Sequence, residues 1–259
     1  IREIYDGHFD LSALPVFGLG SVELERGMTS LLYGPNSGGG ILSLRAPERC
    51  GSRAGFSLFG GNLRQGGLLR YGGTASACHE SGPFSVYLSG GYDRRDGYEL
   101  SGDYAPDAFN AAFHEDGGVR DGSELTRASL ALLAHWAPER NKRLSLFLDG
   151  IHAPRGVPPF EGAGYTRYWK FKYYETLLAG VTGTLGPAVA PAQWGLRSLR
   201  AQLYTHLHYD ELNDYQDASY ERLTTNSLAW FVASAYANRS FGAAVQSSLA
   251  LNPGNRLDA

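Results

Sequence analysis

The chain has a single methionine, only two cysteines, no long apolar run and almost no net charge. With no stretch of eighteen consecutive apolar residues, it has no transmembrane helix. A net charge of −3 gives no basis for nucleic-acid binding. No Ser-His-Asp or Cys-His arrangement is readable, so an enzyme is not expected. None of this excludes a membrane protein that crosses with strands. Such a strand needs about 9–11 residues, and only every second one must be apolar. Abundance points the same way: 34 glycines, 16 tyrosines and 12 phenylalanines favour strands and turns over long helices.

Period-two alternation dominates from about residue 51. Phe84, Val86, Leu88 and Tyr92 alternate with Ser85, Tyr87, Ser89 and Gly91. Leu144, Leu146 and Leu148 alternate with Arg143, Ser145 and Phe147. The same pattern runs through Leu177–Leu185, Leu199–Tyr209 and Phe241–Leu251. Further strands are expected near 53–61, 67–77 and 126–136, which makes eight. An alternating strand puts one set of side chains on each face. Short turns at 79–82, 138–142 and 253–254 oppose long connections at 95–124, 153–174 and 211–239. That asymmetry is the layout of an outer-membrane barrel.

A soluble β-sandwich alternates too, with its apolar face turned to a shared core. Here the opposite face carries Ser, Thr, Gln, Arg, His and Tyr, and rarely Lys. That mixture suits a wet barrel interior better than an ordinary surface. Trp136, Tyr168, Trp169, Tyr173, Tyr174 and Tyr209 gather near strand ends, as in an interfacial girdle.

The first 48 residues differ. Val22 and Leu24 alternate with Glu23, Glu25 and Arg26, and a glycine-rich stretch leads to Ile41-Leu42-Ser43-Leu44. Glu23-Leu24-Glu25-Arg26-Gly27, then Leu32-Tyr33-Gly34 and Gly38-Gly39-Gly40, resembles the end of the plug domain in TonB-dependent outer-membrane receptors. Tyr5-Asp6-Gly7 is similar to that family's earlier Asp-Gly turn, and Val157-Pro158-Pro159-Phe160 and Tyr168-Trp169 are similar to barrel segments of one branch. Met28 and Arg45-Ala46-Pro47 depart from the family's usual pattern.

The resemblance implies an all-β membrane fold. Residues 1–48 would be the C-terminal part of a small α+β plug, and 49–259 the first strands of an antiparallel transmembrane β-barrel. The family's barrel has about 22 strands. Ile1-Arg2-Glu3 begins without a signal peptide and Asn252-Pro253-Gly254 ends in a turn, so a fragment is expected.

The resemblance also implies a bacterial outer-membrane receptor without a cofactor, its short turns in the periplasm. A TonB-type energy-transducing complex would act on it through a box upstream of residue 1. The cargo would be a scarce small-molecule nutrient, with a ferric siderophore the first expectation. Cobalamin, haem or a glycan is the alternative, and a non-transporting structural or adhesive barrel the reading from another class.

Ligand contacts are expected in the long loops at Arg155, Arg167, Tyr168, Trp169, Tyr215 and Tyr220, since arginine and aromatics suit anionic chelates. The same residues could instead form the girdle or tie loops together. Glu23, Glu25 and Arg26 are expected to meet charges on the inner wall, such as Arg143 or Arg200. Gly27, Gly34, Gly38 and Gly39 would form the plug's turns. A hairpin centred near Arg64 would set Cys50 opposite Cys78 for a disulfide, although pairing Phe56 and Leu58 with Leu69 and Tyr71 shifts that register by one.

Two other signals fail. Gly34 and Gly39 have phosphate-loop spacing, but Gly40 and Ile41 stand where Lys and Ser/Thr are required. His206 and His208 share a strand face without a third ligand beside them, so no metal is expected.

Overall fold

The computed structural model describes residues 20–26, 40–45, 47, 51–62, 68–106, 115, 117–159, 167–187, 194–225, 231–252 and 255–258. The plug-turn glycines Gly27, Gly34, Gly38 and Gly39, and Cys50, lie outside them.

The described residues form strands and loops, with no helix among them. Strands β1 (Ser21–Arg26) and β2 (Gly40–Arg45) pair only with each other, antiparallel, with Glu23 opposite Ser43 and Glu25 opposite Ile41. Every other strand belongs to one antiparallel sheet of ten. In chain order these are β3 (Arg53–Asn62), β4 (Leu68–Ser81), β5 (Phe84–Arg95), β6 (Leu125–Glu139), β7 (Lys142–His152), β8 (Arg155–Val157), β9 (Tyr168–Leu185), β10 (Gly195–Tyr215), β11 (Ala233–Asn252) and β12 (Asn255–Asp258). The sheet is a meander in which neighbours in sequence are neighbours in space, apart from β8, which bridges β6 and β9.

All eight expected strands are present. Among the described residues two more strands stand beside those eight: β8 lies within the connection expected at 153–174, and β12 begins at Asn255. Three and four residues are too few for a period-two pattern to stand out.

Local chemistry sets the short turns. Gly82 takes φ of 57° at the first central position of the two-residue turn between β4 and β5, where glycine is favoured. Glu139 pairs opposite Lys142 across the turn at 140–141, and their side chains form a 2.6 Å ion pair.

The β3–β4 register differs from both sequence expectations. Phe56 faces Ala75, Leu58 faces Gly73, and Cys78 faces Arg53. Close packing explains the shift: the Phe59 ring occupies the place where Gly72 would carry a Cβ, and Leu58 does the same over Gly73.

The pairings align one residue phase across the whole sheet. Leu58, Gly73, Tyr92, Ala128 and His152 form one continuous row of direct partners. Phe84, Trp136, Leu144 and Gly183 form another on the same face. This face is apolar and exposed, with Phe56 at 81%, Phe241 at 80% and Val245 at 68%. The opposite face is polar yet more buried, as the inside of a curved wall must be: Ser89, Asp93, Arg127, Thr182 and His208 all lie there, each below a tenth exposed. An apolar core of Leu125, Ile151, Ala153 and Tyr174 closes the long-loop end, with Phe171 against it.

Candidate functional site

The outward face carries an apolar belt between two sets of aromatics. At the short-turn end Phe84 and Trp136 stack with centroids 6.5 Å apart. Towards the long loops Tyr71 pairs with Tyr92 at 6.4 Å, and Tyr173 with Tyr209 at 6.1 Å. From Phe84 to Tyr92 the strand runs about 27 Å at ~3.4 Å per residue. A usual barrel tilt of about 40° reduces that to roughly 21 Å, close to the ~25 Å apolar band of outer-membrane barrels. Tyr174 was grouped with the girdle by its sequence neighbours. Alternation turns it inward instead, where it is 1% exposed.

The inward face carries charge in ordered rows. Arg70 grips Asp93 with two bonds, Nε to Oδ1 and Nη2 to Oδ2, both 2.9 Å. Arg127 donates to the same Oδ2 at 3.0 Å. Arg70 also lies 5.1 Å from the Phe59 ring centroid. The sequence reading missed this group. Its signal was present: Arg70, Asp93 and Arg127 occupy the inward phase of three successive strands whose outward phase is apolar. Arg143, Thr184 and Arg200 form a second inward row at the short-turn end.

His206 and His208 do share the inward face, with rings 6.4 Å apart. Both nitrogens of His208 are engaged, Nδ1 with Thr176 Oγ1 at 3.1 Å and Nε2 with Asp210 Oδ2 at 2.7 Å. Those bonds hold the ring as a wall element. No group of three or more His, Cys, Asp or Glu suited to a metal occurs among the described residues.

Above the sheet the long connections pack on one another. Arg120 is buried in an ion pair with Glu115 and donates to the Pro159 carbonyl at 2.5 Å, tying the loop before β6 to the one after β8. Ser123 Oγ accepts from the Tyr98 amide at 3.0 Å and donates to the Arg120 carbonyl at 2.6 Å. Gly122, at φ of +63°, lets the Tyr220 hydroxyl and Val157 carbonyl close on its α-carbon.

The six loop candidates fall into three places here. Tyr168, Tyr215 and Tyr220 form one aromatic cluster: Tyr220 meets Tyr168 edge-on at 6.2 Å and Tyr215 at 5.4 Å. Tyr220 adopts a left-handed backbone, φ 54°, to reach them. Lys170 stands 5.4 Å from its ring and pairs with Glu124 at 2.8 Å. Burial, reinforced by Glu124 and Asp121, pushes the Tyr220 phenol far above its ordinary range, so it stays protonated. Its oxygen is buried with no hydrogen-bond partner among the described residues. Arg167 stacks 4.1 Å over Trp169, which leans on Phe231 at 4.9 Å. Arg155 is different: it is 8% exposed, held 4.5 Å from Phe171 and 4.1 Å from Tyr174. It sits beneath the cluster, sealed over the apolar core.

Every residue of β1 is exposed, including Glu23, Glu25 and Arg26. Cys78 is disulfide-bonded and the chain has two cysteines.

No family model matches this chain, and no curated protein is similar to it in sequence. Among solved structures 21 chains match. One is the copper transporter OprC, with a TM-score of 0.63 at 14% identity, over 88% of this chain and 31% of that one. The chain thus spans about a third of that structure's length. At this identity the likeness is one of fold: an all-β, antiparallel β-barrel wall.

Proposed function

We propose that this chain is the end of a plug and part of the wall of a bacterial outer-membrane receptor, which takes up a scarce nutrient by TonB-dependent transport. The observation that carries the reading is the pairing of an outward apolar belt, bounded by aromatics, with an inward face of ordered charge. An exposed apolar face bounded by aromatics suits lipid, and a buried polar face suits water or a plug inside the wall. The plug-like stretch from Glu23 to Leu44 and the fold shared with a transporter support uptake over a purely structural barrel.

The cargo we favour is a ferric siderophore. Arg167, Tyr168, Trp169, Tyr215 and Tyr220 would meet it from the long-loop side, with Arg155 fixing the floor beneath them. The hydroxyl of Tyr220 is a donor waiting for an acceptor, since a buried polar atom without a partner is costly. Arg26, Glu23 and Glu25 would meet inward charges such as Arg143 and Arg200 when the plug is seated. The energy-transducing partner would act through a box upstream of residue 1. Copper, the cargo in the neighbour's name, is the second reading. It sits less well with a chain that has one methionine and a bonded Cys78, because soft sulfur ligands select copper(I).

A deletion strain grown on single iron chelates, haem, cobalamin and limiting copper tests this directly. Lost growth on one ferric chelate, restored by the gene but not by a copy lacking the energy-coupling box, is the expected result. Normal growth on every chelate with a defect on limiting copper would move the assignment to copper.

A further inference from the structure

At the long-loop end of the inward face, arginines outnumber the carboxylate that serves them. Arg70 on β4 and Arg95 on β5 are direct cross-strand partners, and their row continues through Leu125 to Arg155. In the neighbouring inward row Asp93 and Arg127 are direct partners in turn. Asp93 accepts two bonds from Arg70 and a third from Arg127. Arg70, Arg95 and Arg127 thus share one carboxylate, which leaves two positive charges on this patch.

Arg95 is the member left over. Its Nε is buried with no hydrogen-bond partner among the described residues, and the guanidinium lies 6.0 Å from the Tyr98 ring centroid. No open sheet edge accounts for this, because β4 and β6 both pair with β5 from Phe84 to Arg95. Like charges directly opposite one another in a sheet, with β-carbons about 5 Å apart, repel. Asp93 relieves Arg70 and Arg127 and leaves Arg95 uncompensated. A negative group reaching Arg95 from inside the wall relieves that repulsion, and the planar guanidinium suits a pair of oxygens. A neutral or cationic group would leave the repulsion in place. Position favours one source of that group. The chain enters the sheet at Arg53, the short-turn end of β3, and the strand runs about 27 Å at ~3.4 Å per residue to Gly61, the partner of Arg70. Residues 1–48 therefore join the wall at its far end. The patch adjoins the long loops instead: Arg155 ends its row, and the Tyr98 amide donates to Ser123 Oγ at 3.0 Å.

We propose that Arg95, with Arg70 beside it, is the charge-selecting part of the cargo site. The cargo arrives as a complex of net negative charge, and two of its oxygens take the Arg95 guanidinium. This rests on the uptake reading and narrows it: ferric carboxylate and catecholate complexes are anionic, whereas hydroxamate complexes are neutral or cationic and a copper ion is a cation.

The test uses the full-length receptor in the deletion strain and measures uptake of radiolabelled iron from four chelates. Ferric citrate and ferric enterobactin are anionic, ferrichrome is neutral and ferrioxamine B is cationic. Two variants separate charge from fold: Arg95→Gln removes the cation and Arg95→Lys keeps it. Heat-modifiable gel migration checks that both fold, and thermal unfolding in micelles measures their stability. The expected result is gene-dependent uptake from one or both anionic chelates and from neither of the others. Arg95→Gln should raise the half-saturating concentration about tenfold at an unchanged maximal rate. Arg95→Lys should recover part of that, and both variants should unfold at the wild-type temperature. Gene-dependent uptake from ferrichrome or ferrioxamine B, or an unchanged half-saturating concentration in Arg95→Gln, would overturn the anion site and leave the uptake reading intact. A lowered unfolding temperature in Arg95→Gln without a change in half-saturation would overturn it too, and would assign the guanidinium to a carboxylate of the plug. Absence of gene-dependent uptake from all four chelates would overturn both readings.

Discussion

The most demanding residue in the wall is Asp93. It is 3% exposed and serves two arginines, of which Arg127 is also buried while Arg70 is half exposed. Asp93→Ala removes the carboxylate from a buried cation, which costs about 3–5 kcal/mol. Arg70→Ala breaks a partner that water can replace, which costs about 0–1 kcal/mol. Urea unfolding of the full-length protein from vesicles should show that order. Equal losses would mean that Arg127 does not depend on Asp93. The two cysteines make a second prediction at this scale. Cys78 is bonded, and Cys50 is the other cysteine of this sequence. The protein should therefore stay monomeric without reductant and take up alkylating agent only after reduction. A reductant-sensitive dimer would assign the bond to a second chain.

At the scale of the element, the wall repeats one device. A large inward aromatic lies across a glycine on the next strand: Phe59 over Gly72, Phe147 over Gly180, Tyr204 over Gly242. The ring covers backbone that the glycine leaves bare, and the pairing pins the register. At Gly180 a Cβ would meet the Phe147 ring and, at 2.6 Å, the Leu203 carbonyl. Gly180→Ala should therefore destabilise by about 1–3 kcal/mol through overpacking. Gly183→Ala, three residues on in the same strand, meets nothing within 4 Å and should stay within about 0.5 kcal/mol of the wild type. Thermal unfolding in micelles measures both. Equal shifts would show that glycine in β9 serves only backbone freedom.

The whole molecule is organised by its two faces. Leu88 lies midway between Phe84 and Tyr92 on the apolar face and is 44% exposed. Gln202 lies on the polar face, opposite Thr182 and Ala244. Placing arginine at Leu88 should cost about 2–4 kcal/mol in a bilayer, the penalty for a lipid-facing charge near the midplane. Gln202→Arg should cost far less, because that side is wet. Unfolding from vesicles distinguishes them, and the reverse order would exchange the inside and outside of the wall.

Much of this was legible in the sequence, and the physical reason is local. Side chains alternate along any extended strand whatever its neighbours, so period two alone divided Leu144, Leu146 and Leu148 from Arg143 and Ser145. Turn chemistry is equally local, and Gly82-Pro83 ended a strand on its own terms. Register is not local. It placed Cys78 opposite Arg53, because Gly72 and Gly73 had to lie under Phe59 and Leu58, a fit visible only once two strands are side by side. Nor could the sequence say that Arg155 is buried against Phe171 and Tyr174 while Tyr168, Tyr215 and Tyr220 converge. Those contacts join residues as far apart along the chain as Tyr168 and Tyr220. The sequence by itself determined that the chain has an apolar face and a polar one. The tertiary structure decided that the apolar face is the exposed one, because only a curved wall buries charge on its concave side and leaves leucine outside.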